Sequence, residues 1–194
     1  MKRWKMWELA LLFCLCGLSL TGTWCAARQE ALSGKLIRLH VLAESDSSVH
    51  QSAKLRARDA VLERLAPALA PAESRQEAAA IIRELAPELA EAARAAAGAD
   101  AARLTLGRES YPLRRYGSFA LPAGEYLSLR LVLGEGGGRN WWCVVYPPLC
   151  TDPGASEEAF AGEEWRLLSE DGTSYEIRFR LLELWGELTA ALGS

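Results

Sequence analysis

The side chains with the most chemistry in this chain are two cysteines, Cys143 and Cys150, and its two histidines, His40 and His50. A thiol hydrolase would need Cys143 as nucleophile with His40 as its base. Trp142 and Val144 crowd that cysteine and Cys150 offers it a partner across Pro147-Pro148. A Cys143–Cys150 bridge would close a small loop over the proline corner and stabilise the chain by roughly 2–3 kcal/mol; two buried free thiols are the alternative. His40 shares its stretch with Glu44 and Asp46, which a metal could use, but His50 belongs to a separate element and the spacings match no standard ligand pattern. Gly134–Gly138 leads into a strand, whereas a phosphate cradle leads into a helix, so it reads as a turn. Asp171-Gly172-Thr173 reverses the Asp-Thr-Gly order of aspartic proteases and is also a turn. No catalytic residue, metal or cofactor is assigned, and a binding protein is expected in place of an enzyme.

The elements that must position these residues follow from pattern. Asn140–Cys150 (NWWCVVYPPLC) packs two tryptophans, a tyrosine and two prolines into one short stretch. Trp142, Val144 and Tyr146 alternate with Trp141, Cys143 and Val145, so a strand here shows apolar side chains on both faces and belongs inside a sheet. The prolines end it, and Tyr146-Pro147 is a candidate cis bond. Lys35–Ala43 reads as a first strand, with Ile37, Leu39 and Val41 on one face and Arg38 and His40 on the other. Val49–Leu69 is helical, with Leu55, Leu62, Leu65 and Leu69 as its apolar stripe and Lys54, Arg56, Arg58 and Arg64 wet. Ser74-Arg75-Gln76-Glu77 is a capping box opening a second helix that Pro87 kinks or restarts and Gly98 ends. Ala101–Arg108, Glu125–Leu133 and Arg139–Tyr146 are strands, the last two joined as a hairpin by the glycine run. Thr151–Glu163 is a polar loop, and Tyr175–Leu192 a C-terminal helix.

The expected class is α/β or α+β: a single domain with one mixed sheet of about four strands, covered by helices on at least one face. A helical insertion spans about 48–98, a sheet core about 101–150, and a loop and helix 151–194. A chain of 194 residues, 50% hydrophobic, can bury a core of this kind. Its net charge of −3 argues against a nucleic-acid binder.

Ahead of this domain, Lys2, Arg3 and Lys5 precede an apolar run from Leu9 to Leu20 and small residues up to Ala27, the pattern of a secretory signal. Leu9–Ala27 carries no charge and also approaches the length of a membrane anchor, although Gly17, Ser19, Thr21, Gly22 and Thr23 dilute it. Residues 1–27 are thus a signal peptide or anchor, and 28–194 an exported domain. Cleavage removes three basic residues and one acidic, taking the net charge from −3 to −5. With cleavage after Ala27, Cys14, Cys16 and Cys25 leave with the signal and Cys143 and Cys150 remain as a pair in a compartment that permits disulfides; cleavage before Cys25 leaves an odd thiol.

Three stretches carry a resemblance: Ile37–Asp46 (IRLHVLAESD), Lys54–Glu63 (KLRARDAVLE), and Tyr111–Cys150, in which NWWC is followed closely by PPLC. Together they resemble the stage II sporulation protein R family of endospore-forming bacteria. The resemblance implies a protein made in the forespore and exported into the space between the two membranes. There it activates the membrane-embedded aspartic protease of the mother cell, which removes the pro-sequence of pro-sigma E. Glu44 stands where an asparagine is common in the family, and Leu113-Arg114-Arg115 where a Thr-Lys pair is usual.

Such a signal needs a partner surface. The candidates are Arg38, His40, Glu44 and Asp46 at the first strand, Arg58 on the first helix, the Arg114-Arg115-Tyr116 corner, and Asn140, Trp141 and Trp142, because arginine and aromatic residues anchor interfaces. Two other classes fit the inventory: an exported hydrolase using Cys143 and His40, and a structural protein of the spore envelope.

Overall fold

The computed structural model describes residues 2–116 and 119–149. Cys150, the expected loop at 151–163, the turn at 171–173 and the helix at 175–192 lie outside the described residues.

The chain runs α1 (Lys2–Ser33), β1 (Ile37–Leu42), α2 (Ser48–Leu69), α3 (Arg75–Ala97), β2 (Ala102–Tyr111), β3 (Arg114–Tyr116), β4 (Phe119–Leu121), β5 (Gly124–Leu133) and β6 (Asn140–Tyr146). Four strands form one mixed sheet in the order β2-β5-β1-β6, and β3 and β4 form a separate two-stranded ribbon. β1 runs parallel to β5 and antiparallel to β6, while β2 is antiparallel to β5. The fold is therefore mixed α/β.

The helices are set by their caps. Ser47 Oγ accepts the His50 backbone N–H at the start of α2, and Ser74 Oγ accepts that of Glu77 at the start of α3. Gly98 closes α3 in the left-handed conformation at φ 64°. Pro87 lies within α3 without ending it; its ring forfeits one ladder bond, and burial of the neighbouring Leu89 holds the turn together. The buried face of α2 is Ala53, Lys54, Ala57, Val61, Leu65 and Leu69. Leu55, expected in the stripe, is 40% exposed, and Lys54, expected wet, is buried. The alanines explain the rotation: small side chains let α2 and α3 approach each other, and the larger leucine is displaced from the seam.

Two hydrophobic clusters flank the sheet. On the helix side, Ile37, Leu39 and Val41 of β1 meet Leu129, Leu131 and Leu133 of β5, Cys143 and Val145 of β6, and the inner faces of α2 and α3. On the other side, Leu36, Tyr111, Phe119, Leu121, Tyr126, Val144 and Leu149 form a second cluster under the β3–β4 ribbon. This second cluster explains why β6 is apolar on both faces. β6 is an edge strand of the sheet, not an interior one as its pattern predicted; it is covered by helices on one side and by the ribbon on the other.

The expected hairpin between β5 and β6 does not form, because β1 lies between them. The glycine run crosses the end of β1 instead. Gly137 N–H donates to the Glu44 carbonyl at 3.1 Å and Gly138 N–H to that of Ala43 at 2.8 Å. A side chain at Gly138 would collide with the Ser45 backbone, so only glycine lets the crossing lie this close. The Tyr146-Pro147 bond is cis.

The end of α1 packs onto the domain. Gln29 Nε2 donates to the Ala123 carbonyl at 2.5 Å, and Leu32 packs against the second cluster. Among the described residues no helix is long and apolar enough to cross a membrane.

Candidate functional site

The face of the sheet turned away from the helices carries the polar chemistry. Strand alternation and register set it out in rows. Gly107, Ser128, Arg38 and Val144 cross the four strands in one row; Thr105, Arg130, His40 and Trp142 follow in the next; Arg103, Val132, Leu42 and Asn140 in the third.

Arg38, expected at the surface, is fully buried. Its guanidinium carbon lies 3.9 Å from the Tyr111 ring centroid and 4.7 Å from that of Tyr126, and Nη2 donates to Tyr116 Oη at 2.7 Å. Among the described residues Nε and Nη1 have no hydrogen-bond partner. Cation–π contact of this kind stabilises by about 0.5–2 kcal/mol and, with Tyr116, is what holds a buried cation that has no carboxylate beside it among the described residues. The planar, weakly hydrated guanidinium suits stacking between rings. Burial pushes both phenols well above their ordinary range: for Tyr111 the Ser128 hydrogen bond opposes this, and for Tyr126 the nearby Arg38 charge does.

His40 is buried as well. Its ring stacks on Trp142 at 5.2 Å between centroids, and Nδ1 lies 2.8 Å from Glu109 Oε1. Glu109 Oε2 accepts from Ser128 Oγ at 2.7 Å, and Ser128 Oγ lies 2.6 Å from Tyr111 Oη. The carboxylate that His40 faces is therefore Glu109, not Glu44 or Asp46 as sequence proximity predicted. Those two serve the end of β1. Glu44 Oε2 is 3.6 Å from His50 Nε2, and Asp46 Oδ1 accepts the Arg139 backbone N–H at 2.7 Å. Nearby, Lys54 Nζ donates to the Arg139 carbonyl at 2.9 Å and to Gln51 Oε1 at 2.7 Å. Burial, and then the Arg139 charge, lower its pKa.

The remaining candidates fall on both sides of the sheet. Arg114 lies 3.6 Å over the Trp142 ring on the outer face, and Arg58 lies 4.8 Å over Trp141 on the helix side. Each tryptophan is half-buried and capped by an arginine. Glu44, Asp46, Arg115 and Asn140 are exposed, and Tyr116 is half-buried. The structure thus gathers Arg38, His40, Arg114, Tyr116 and Trp142 on one face, and separates Arg58 and Trp141 from them.

Cys143 and His40 do not form a dyad. Cys143 belongs to the helix-side core and pairs across the strands with Leu39, whereas His40 pairs with Trp142 on the opposite face. Among the described residues no group of three histidine, cysteine or acidic side chains is placed to hold a metal ion. Sequence reasoning missed Glu109, Ser128, Tyr111 and Tyr126 as members of the polar cluster. Their signal is the alternation along β2 and β5, which becomes readable only once the register against β1 is known.

The elements that build this face, from β1 to the turn after β6, coincide with a known family. The family model of stage II sporulation protein R matches residues 33–154. The chain belongs to the stage II sporulation protein R family. A curated relative, stage II sporulation protein R of Bacillus subtilis (strain 168), is 36% identical over 141 residues, covering 71% of this chain and 63% of the relative. The chain thus spans somewhat less than two thirds of that relative's length. No solved structure matches it. The matched stretch of the family includes β1, the ribbon and the NWWC strand, so Arg38, His40 and Trp142 all lie within it.

Proposed function

We propose that this member of the stage II sporulation protein R family is an exported signal between the two compartments of a sporulating cell. Made in the forespore and delivered to the space between the two membranes, it switches on the membrane-embedded aspartic protease of the mother cell, which then removes the pro-sequence of pro-sigma E. Family membership is the observation that carries the reading. The signal-like residues 1–27 support export, and the separation of Cys143 from His40 by the sheet removes the hydrolase dyad as a competitor. In the exported form Cys143 pairs with Cys150.

The test is co-expression, in a non-sporulating host, of this chain, the candidate membrane protease and a tagged pro-sigma E. Cleavage that requires the chain and its residues 1–27 is the expected result. Absence of cleavage with all three components correctly located would overturn the reading.

A further inference from the structure

Among the described residues β2 is an open sheet edge of unusual length. It runs ten residues from Ala102 to Tyr111, pairs in unbroken register with β5, and contains no proline. Among the described residues its other side has no strand. Natural edges of this length are blunted by bulges, prolines or a covering segment, because their free N–H and C=O groups template a further strand.

The outer face beside this edge is basic on a chain that is acidic overall. Arg103 and Thr105 are exposed, and Arg130 is 48% exposed at its side chain. Thr105 and Gly107 are short, so among the described residues nothing at the edge screens Arg130 from a strand added there. The nearest acid, Glu109, lies 3.9 Å from Arg130 Nε and is shared with His40 and Ser128, so it only partly offsets the two arginines.

We propose that the β2 edge is a docking site for an extended acidic segment of a partner protein, which adds to the sheet as a fifth strand. Alternate side chains of such a strand fall on the outer face, where carboxylates meet Arg103 and Arg130, while main-chain bonds to β2 supply register-dependent affinity. The inference stands on the edge and its charges, independently of the protease reading.

The probe is a fluorescein-labelled ten-residue peptide alternating glutamate and threonine, titrated into the full chain in non-ionic detergent. Controls are a lysine-threonine peptide and the glutamate peptide N-methylated along both edges. Binding of the glutamate peptide alone is expected, with new hydrogen-exchange protection confined to β2. Arg103→Glu and Arg130→Gln, both exposed positions, should each weaken it about tenfold with unchanged circular dichroism. Equal binding of the N-methylated peptide, or no binding of the glutamate peptide, would overturn strand addition. So would concentration-dependent self-association that protects β2 without peptide, since the edge would then take a second copy of the chain.

Discussion

Glu109 Oε1 and His40 Nδ1 sit 2.8 Å apart across two strands, and the other oxygen of the same carboxylate receives Ser128. Glu109 is therefore the hub that satisfies the outer face of β1 and β5. Glu109→Ala strands both groups in a largely buried setting and should cost about 1–3 kcal/mol in urea unfolding. Glu109→Gln, which keeps an acceptor and the shape, should cost less. Equal losses for the two variants would mean that the hydrogen bonds do not carry the effect.

Among the described residues Arg38 is held by rings and not by a carboxylate, so its shape matters more than its charge. Arg38→Ala should lose ~2–5 kcal/mol through the void it opens. Arg38→Met, which fills the space and spares the desolvation of a cation, should be the milder change. Arg38→Glu should fail to fold. Lysine lacks the planar stack, and a fully stable Arg38→Lys protein would contradict the cage.

The buried phenols predict loss of stability in alkali. Both Tyr111 and Tyr126 have hydroxyls raised above the ordinary phenol value of 10.0. The folded state therefore favours their neutral form, and this contribution is complete below pH ~10 and declines as the pH rises above it. Tyrosinate absorbance followed alongside circular dichroism should show these two rings ionising late, together with unfolding. Ionisation of all tyrosines in one early step, with the fold intact, would refute this.

Gly138→Ala should destabilise by about 1–3 kcal/mol, because the new methyl group meets the Ser45 backbone, which cannot step aside as a side chain could. Gly107→Ala, at a position with nothing near an added methyl, is the control and should be close to neutral. Thermal unfolding of the pair separates close approach from a general cost of removing glycine.

Under the signalling reading, Arg115→Glu should reduce pro-sigma E cleavage without unfolding the domain, since Arg115 is exposed on β3. Full cleavage with the variant would take Arg115 out of the interface. For the exported protein, alkylation under denaturing conditions without reductant should leave Cys143 and Cys150 unmodified by mass spectrometry. Alkylation of both would dismiss the bridge.

Much of this architecture is written in local pattern. The caps at Ser47, Ser74 and Gly98 and the alternation of β1, β2, β5 and β6 are signals of a few residues, and the structure follows them. What local pattern cannot carry is pairing. That β1 would insert between β5 and β6 depends on contacts distant in sequence, and this insertion turned an expected hairpin into a crossing loop. Burial of Arg38 was illegible for the same reason: the rings around it come from β2, β3 and β5. The apolar content of β6 was read correctly, but two covering layers, not a central position, account for it.

The insertion of β1 has a consequence for the order of assembly. The first strand to emerge is the one that ends between two others, and its partners in β5 and β6 follow roughly 90 and 100 residues later. Contacts between α2 and α3 are local and can form early, whereas β1 finds no neighbour until most of the domain is available. Under the export reading, a chain threaded through a membrane from its N-terminus would stay loose along its central strand during transit, and the sheet would close last, after β6 has passed through.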